Sequence, residues 1–215
     1  MAARCYGAVA LLRDRLVLVF ARAPRDERRA KPLVERAARP AVEALHDGML
    51  RHALGVARAA GARTRLVTTR DASSLRSLGE VDLALQRGST FAERLENAVA
   101  DAFADGWREV VVIGADTPRI ESRHLRLAFD RLSSSRAPHA VVGPACDGGY
   151  YLLGLRRPSP ELFVDVPWGT DRVLARTLEA IRAAGRTVLI LEPLADIDRP
   201  EDLPLLPDDL ARYRG

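Results

Sequence analysis

Apolar residues along the chain come in short continuous runs, separated by stretches in which they recur every three or four positions. The run Leu16-Val17-Leu18-Val19-Phe20, closing at Ala23-Pro24, shows no polar alternation, as expected of a strand covered on both faces. Similar runs predict strands at Arg65–Thr69, Val81–Leu85, Val110–Ile113, Ala140–Val142, Tyr150–Leu155 and Thr187–Leu191. Amphipathic segments predict helices over Val42–Ala60 stopped by Gly61, Thr90–Ala104 stopped at Gly106, Ser122–Leu132, and Asp171–Ala184 stopped by Gly185. An earlier apolar stretch, Tyr6–Leu12, is compatible with an extra edge strand. Strand and helix alternating in this way specify a three-layer α/β architecture, with an open, mainly parallel sheet between two layers of helices. No Pro/Gly/Ser linker divides the 215 residues, so a single domain over 1–215 is expected.

Composition narrows the class. With 47% hydrophobic and 29% charged residues and a mean hydropathy of −0.09, the chain has the profile of a globular, not a disordered, protein. No apolar run approaches the roughly 20 residues of a membrane span, and the start has no secretory pattern. The two cysteines, Cys5 and Cys146, are far apart and outside any His/Cys cluster, so neither a disulfide framework nor a structural zinc site is supported and a reducing, cytoplasmic setting is expected. The formal charge is +4, but of the 33 basic residues Lys31 is the one lysine. Such arginine usage is a coding bias, and the basic residues are interspersed with acidic ones, so no nucleic-acid partner is expected. Walker A, GxGxxG and GxSxG motifs are absent. His46 and His52 lack the i, i+4 spacing of paired helix ligands and read as structural or surface residues.

In an open parallel sheet, ligands sit beyond the carboxyl ends of the strands, which singles out four segments. Asp116, in Gly114-Ala115-Asp116-Thr117-Pro118, projects from the end of the strongest strand. It suits a divalent cation whose shell is completed by phosphate and water, or alternatively caps the helix near Ser122. Asp198, before Arg199-Pro200, reads as a helix N-cap or as a second carboxylate for the same ion, with Asp196 as a substitute. The turn Asp147-Gly148-Gly149 is either hairpin chemistry or a close approach to a ligand, with Asp147 orienting an acceptor hydroxyl or acting as a base. Tyr150 and Tyr151 point to opposite faces, so at most one is expected to line a pocket. The loop Ala21–Leu33 carries Arg22, Arg25, Arg28, Arg29 and Lys31, a phosphate site or a solvated charged loop. In Pro167-Trp168-Gly169-Thr170, Thr170 or Gly169 is expected to cap the following helix, with Trp168 a possible ligand contact.

Taken together, Leu18–Pro24, Gln86-Arg87-Gly88 with Glu93-Arg94-Leu95, Val112–Pro118, Gly143-Pro144 with Asp147–Leu155, Pro167–Thr170 and Asp196–Leu203 resemble the bacterial DUF2064 family, a branch of the GT-A nucleotide-diphospho-sugar transferase superfamily. The resemblance implies a Rossmann-like GT-A fold and a metal-dependent transferase using a nucleotide-activated donor, with nucleotide-sugar glycosyltransferase ahead of nucleotidyltransferase. It implies Mg²⁺ or Mn²⁺ on Asp116 with Asp198 as the second carboxylate, and donor phosphates at Arg22, Arg28 and Lys31. Asp147 would be the catalytic residue toward an unknown small-molecule acceptor, with Gly148, Gly149, Tyr150, Trp168 and Thr170 on the acceptor side. The first loop departs from the family pattern of a Pro-Gly loop running into Lys-Thr-Arg-Leu, reading Arg25-Asp26-Glu27-Arg28-Arg29-Ala30-Lys31-Pro32-Leu33 here. That departure keeps open a non-catalytic binding or regulatory protein on the same fold.

Overall fold

The structure is a computed structural model that describes residues 13–22, 39–69, 78, 81–197 and 199–213. The expected edge strand at Tyr6–Leu12 and the candidate residues Arg28, Lys31 and Asp198 lie outside the described residues. In chain order the elements are β1 (Arg13–Phe20), α1 (Arg39–Ala59), β2 (Arg63–Thr68), β3 (Asp82–Leu85), α2 (Phe91–Ala104), β4 (Trp107–Ile113), α3 (Ser122–Leu132), β5 (Ala140–Pro144), β6 (Tyr150–Leu155), α4 (Val173–Ala183) and β7 (Val188–Ile190). A short 3-10 turn at Pro160–Leu162 lies between β6 and α4, and two more follow β7 at Pro200–Leu205 and Asp208–Tyr213.

Seven strands form one sheet in the order β3-β2-β1-β4-β6-β5-β7. All neighbours are parallel except β6, which runs antiparallel to both β4 and β5. The unalternated apolarity of β1 has its cause in this placement. Leu16 through Val19 are fully buried, with Val17 and Val19 facing one core and Leu16 and Leu18 the other. The first core packs α1 (Leu50, Leu54, Ala57) and α3 (Leu125, Phe129, Leu132) on one face, and the second packs α2 (Leu95, Val99, Ala102) and α4 (Ile181) on the opposite face. The outer side of α1 is closed in turn by the C-terminal 3-10 turns, where Leu206, Leu210 and Ile197 meet Leu45 and Met49. Among the described residues, no helix is long and apolar enough to cross a membrane.

Helix α2 starts with a reciprocal cap. Thr90 accepts from the Glu93 N–H at 3.1 Å, while the Glu93 carboxylate accepts the Ser89 N–H at 2.6 Å and, more weakly, the Thr90 N–H at 3.4 Å. Thr90→Ala is therefore expected to cost about 1 kcal/mol, read as a lower denaturation midpoint at unchanged slope. An unchanged midpoint would show that Glu93 holds the helix end unaided.

Candidate active site

The strand order reverses between the parallel neighbours β1 and β4, since β2 and β3 lie on one side of this pair and β5, β6 and β7 on the other. A crevice beyond the carboxyl ends is the geometric result. It is a cavity of about 490 Å³ walled by the β1 end (Phe20, Ala21, Arg22), the β4 end (Val112 to Asp116), α1 (His46, Met49, Leu50), the loop and first turns of α2 (Gln86, Ser89, Phe91, Arg94, Leu95), and Tyr150 and Tyr151 of β6. Three of the candidates read from sequence, Arg22, Asp116 and Tyr150, are brought together here.

Asp116 stands on the loop after β4, where its main-chain carbonyl accepts the Ile197 N–H at 2.9 Å. It does not cap α3, because the N-cap position belongs to Glu121. Its carboxylate folds back over Gly114, where an added Cβ would lie 2.7 Å from Oδ1 and the carboxylate would have to turn away to make room. Asp116 is the one acidic side chain on the cavity wall among the described residues, and no three His, Cys, Asp or Glu side chains converge among them. That donor set does not match a closed zinc site. It fits a hard divalent cation that takes one or two carboxylates and shares the rest of its shell with phosphate and water.

The positive charge on the wall comes from side chains. Arg22 is exposed at the end of β1, and Arg94 leans across the α2 entry, donating from Nε to the Gly88 carbonyl at 2.9 Å. The N–H groups of Ser89, Thr90 and Glu93 are already engaged in the capping box, so the start of α2 has fewer amides to offer an anion than an uncapped helix would.

Both tyrosines border the cavity, contrary to the expectation of one. They do point to opposite faces, Tyr151 into the α1/α3 core and Tyr150 into the α2/α4 core. Because β6 is antiparallel, its first residues lie at the carboxyl edge of the parallel strands, where the crevice wraps around the sheet end and touches both faces. Burial pushes the Tyr150 phenol well above its ordinary pKa, and its hydroxyl is sealed from solvent without a hydrogen-bond partner among the described residues. Burial first, then the Glu192 carboxylate, pushes Tyr151 up to about 12. Both are neutral hydroxyls at physiological pH.

The remaining acceptor-side candidates lie off the cavity wall. The 146–149 segment closes the β5–β6 hairpin, with Asp147 exposed and its Oδ1 accepting the Gly149 N–H at 2.8 Å. The space left by Gly148 is filled by protein. Its φ is +91°, an added Cβ would lie 2.2 Å from the Asp171 carbonyl oxygen, and its own carbonyl accepts the Leu174 N–H at the start of α4. Trp168 stands behind the wall, 4.9 Å from Phe91 and 6.1 Å from Tyr150 between ring centroids. Thr170 is exposed and donates to the Pro167 carbonyl at 2.8 Å. Neither Thr170 nor Gly169 caps α4: Arg172 holds the N-cap position, and Thr170 accepts the Arg172 N–H in the turn before it. Likewise Arg199 occupies the N-cap position of the 3-10 turn at Pro200, with Asp202 accepting its N–H at 2.8 Å.

Sequence reading gave no cavity role to His46, Gln86 or Phe91. Gln86 donates from Nε2 to the carbonyls of Ala21 (3.0 Å) and Val67 (3.2 Å), pinning the ends of β1 and β2, while Phe91 stacks edge-on to Phe20 at 5.7 Å on the cavity rim. The Gln86-Arg87-Gly88 motif was the available signal for the first. His46 reaches the cavity from α1, which no local pattern announces.

The profile of the family described as "Uncharacterized protein conserved in bacteria (DUF2064)" matches residues 50–170. A search of curated proteins finds no match. Among solved structures, a candidate nucleotide-diphospho-sugar transferase from Desulfovibrio desulfuricans G20 is 27% identical, covers 86% of this chain and 83% of its own, and superposes with a TM-score of 0.76. CMP:2-keto-3-deoxy-manno-octonic acid synthetase complexed with CTP is 14% identical over 89% and 96% of the two chains, with a TM-score of 0.55. Rv0371c of Mycobacterium tuberculosis H37Rv, in complex with manganese, is 18% identical over 94% and 97%, with a TM-score of 0.51. The last two establish shared architecture alone. With a family match over more than half its length and a sheet common to nucleotide-utilising transferases, the chain belongs to the DUF2064 family, on the nucleotide-diphospho-sugar transferase fold.

Proposed function

We propose that the protein is a metal-dependent transferase that takes a nucleotide-activated donor in the β1–β4 crevice, with glycosyl transfer from a nucleotide sugar as the leading reaction. One observation carries the reading: Asp116, Arg22 and Arg94 line one cavity at the strand-order reversal. In this reading Mg²⁺ or Mn²⁺ is held by Asp116, with Asp198 as the second carboxylate, and when bound it neutralises charge on the donor phosphates and leaving group. Arg22, Arg28 and Lys31 bind those phosphates. Nucleotidyl transfer is the second reading, favoured by the CTP-bound relative of the same fold. Incubation with nucleotide sugars and with nucleoside triphosphates separates them, since glycosyl transfer releases a nucleotide and nucleotidyl transfer releases pyrophosphate. Release of neither, with Mn²⁺ present and acceptors supplied, would favour a non-catalytic binding protein.

The altered first loop sets the strength of donor binding in this proposal. It has no glycine to bring amides onto phosphate, and Pro32 disfavours helical geometry at Lys31, so side-chain charge carries the contact. Lys31→Ala is expected to weaken nucleotide affinity by about tenfold, roughly 1.4 kcal/mol, in a calorimetric titration at low salt, and by less at high salt. Tight, salt-independent binding would place the phosphates elsewhere.

Asp147 is assigned to the acceptor. Asp147→Asn is expected to lower turnover with donor affinity unchanged. Loss of donor affinity would move Asp147 to the nucleotide side, and unchanged turnover would leave it the turn-forming role that its bond to Gly149 already performs.

A further inference from the structure

The segment 191–197 crosses the open end of the sheet and is tied at both ends to the cavity wall. At one end the Tyr151 hydroxyl donates to the Glu192 carbonyl at 3.1 Å, and at the other the Ile197 N–H donates to the Asp116 carbonyl at 2.9 Å. Between them the Leu194 N–H bonds the Pro144 carbonyl, and the Leu194 carbonyl accepts the Cys146 N–H, both at 3.0 Å. Whatever holds this strap therefore sets the position of a proposed metal ligand and of a tyrosine that lines the same cavity.

Its side-chain tether to α3 is an ion-paired carboxylate. Glu192 accepts from His124 Nε2 at 2.8 Å and lies 3.4 Å from Arg123, and these contacts, His124 foremost, hold its carboxyl below the ordinary value. His124 is 3% exposed, yet it makes no contact with the crevice. Its Nδ1 accepts the Glu121 N–H at 2.9 Å, which assigns the ring proton to Nε2, the nitrogen facing Glu192. The ring also stands edge-on to Tyr151 at 6.1 Å. Tyr151 in turn lies across Gly143, where an added Cβ would be 2.4 Å from its ring. The charged and titratable groups around the imidazole are thus Glu192, Glu121, Arg123 and Tyr151. An apolar residue at position 124 would fill the same buried site at no polar cost, so the directional donor is the informative feature.

We propose that His124 is a positioning residue for the cavity: by presenting one fixed Nε2–H to Glu192, it holds the 191–197 strap and, through it, Asp116 and Tyr151. The proposal rests on the crevice being the ligand site and is independent of which donor it accepts. Amide hydrogen exchange on the intact protein tests it with His124→Leu, which removes the donor, and His124→Gln, whose amide restores a donor near Nε2. Losing a hydrogen bond to a charged group is expected to speed exchange at Leu194 and Ile197 by about tenfold or more in the Leu variant, with the Gln variant within about threefold of wild type. Glu192→Ala, a change at an exposed side chain that leaves the core packed, is expected to reproduce the Leu result. Faster exchange confined to the first turn of α3, or a Gln variant no better than Leu, would show that His124 only caps its own helix. A parallel Mn²⁺ titration is expected to weaken in the Leu variant and recover in the Gln variant. No Mn²⁺ binding by wild type would count against Asp116 as a metal ligand, while the exchange data would still decide the role of His124.

Discussion

Asp116→Ala is expected to leave the protein folded and to weaken Mn²⁺-dependent nucleotide binding by about a hundredfold, close to 2.7 kcal/mol. The fold survives because the side chain is only half-buried, at a loop, and the contact that orders the loop, Ile197 N–H to the Asp116 carbonyl, is made by main chain. Binding suffers because Asp116 is the cavity's one described carboxylate, and a cation shared between protein and phosphate would lose one of the two carboxylates proposed to hold it. Asp116→Asn keeps the shape and an oxygen but not the charge, so it is expected to fall nearer to Ala than to wild type. Electron paramagnetic resonance of free Mn²⁺ during titration measures the effect. Wild-type affinity in the Ala variant would place the metal elsewhere, and an unfolded variant would make Asp116 a structural residue.

The largest stability effect is expected at a residue chosen by sequence for a different reason. Gly148→Ala must place a methyl within 2.2 to 2.6 Å of main-chain atoms of Asp171 and hold a non-glycine residue at φ +91°. Neither obstacle can rotate away, and relief by backbone movement would disturb the Gly148 carbonyl that accepts the Leu174 N–H. A loss of about 3 kcal/mol or more is expected in urea denaturation. Gly169→Ala is the control: its φ is +80° but nothing lies within 4 Å of the added methyl, so about 1 kcal/mol is expected. Equal losses at both positions would mean that backbone conformation, and not the docking of the hairpin on α4, dictates Gly148.

The glycine pair in Asp147-Gly148-Gly149 shows where sequence reading reaches its limit. Its turn chemistry was legible from local residues, but Asp171, the backbone that approaches Gly148, comes from a different part of the chain. The same division runs through the fold. Seven strands and four helices follow from runs such as Leu16–Phe20 and from the 3.6-residue periodicity, because two-sided burial and one-sided burial leave different patterns. The reversed direction of β6 does not follow from its own pattern, since Tyr150–Leu155 is as continuously apolar as a parallel strand would be; only the hairpin reading of Asp147-Gly148-Gly149 points to it, and its pairing with β4 and β5 bears that reading out. That reversal is also what lets both tyrosines reach the crevice, overturning an inference from alternation that was correct about faces and incomplete about edges. Asp116 was legible because it follows a strand directly. His46 and Glu192 enter through tertiary contacts that leave no local trace, while the far end of the strap falls in the Asp196–Leu203 motif.

The central claim is that the β1–β4 crevice binds a nucleotide donor together with a divalent cation. Calorimetric titration of wild-type protein with a panel of nucleotides and nucleotide sugars, with and without Mn²⁺, tests it most directly. The expected result is saturable binding of at least one nucleotide at a single site, weak and salt-sensitive, strengthened by Mn²⁺, and losing that strengthening in Asp116→Ala. Binding that is indifferent to Mn²⁺ and to Asp116, or no binding by any member of the panel under either condition, would contradict it.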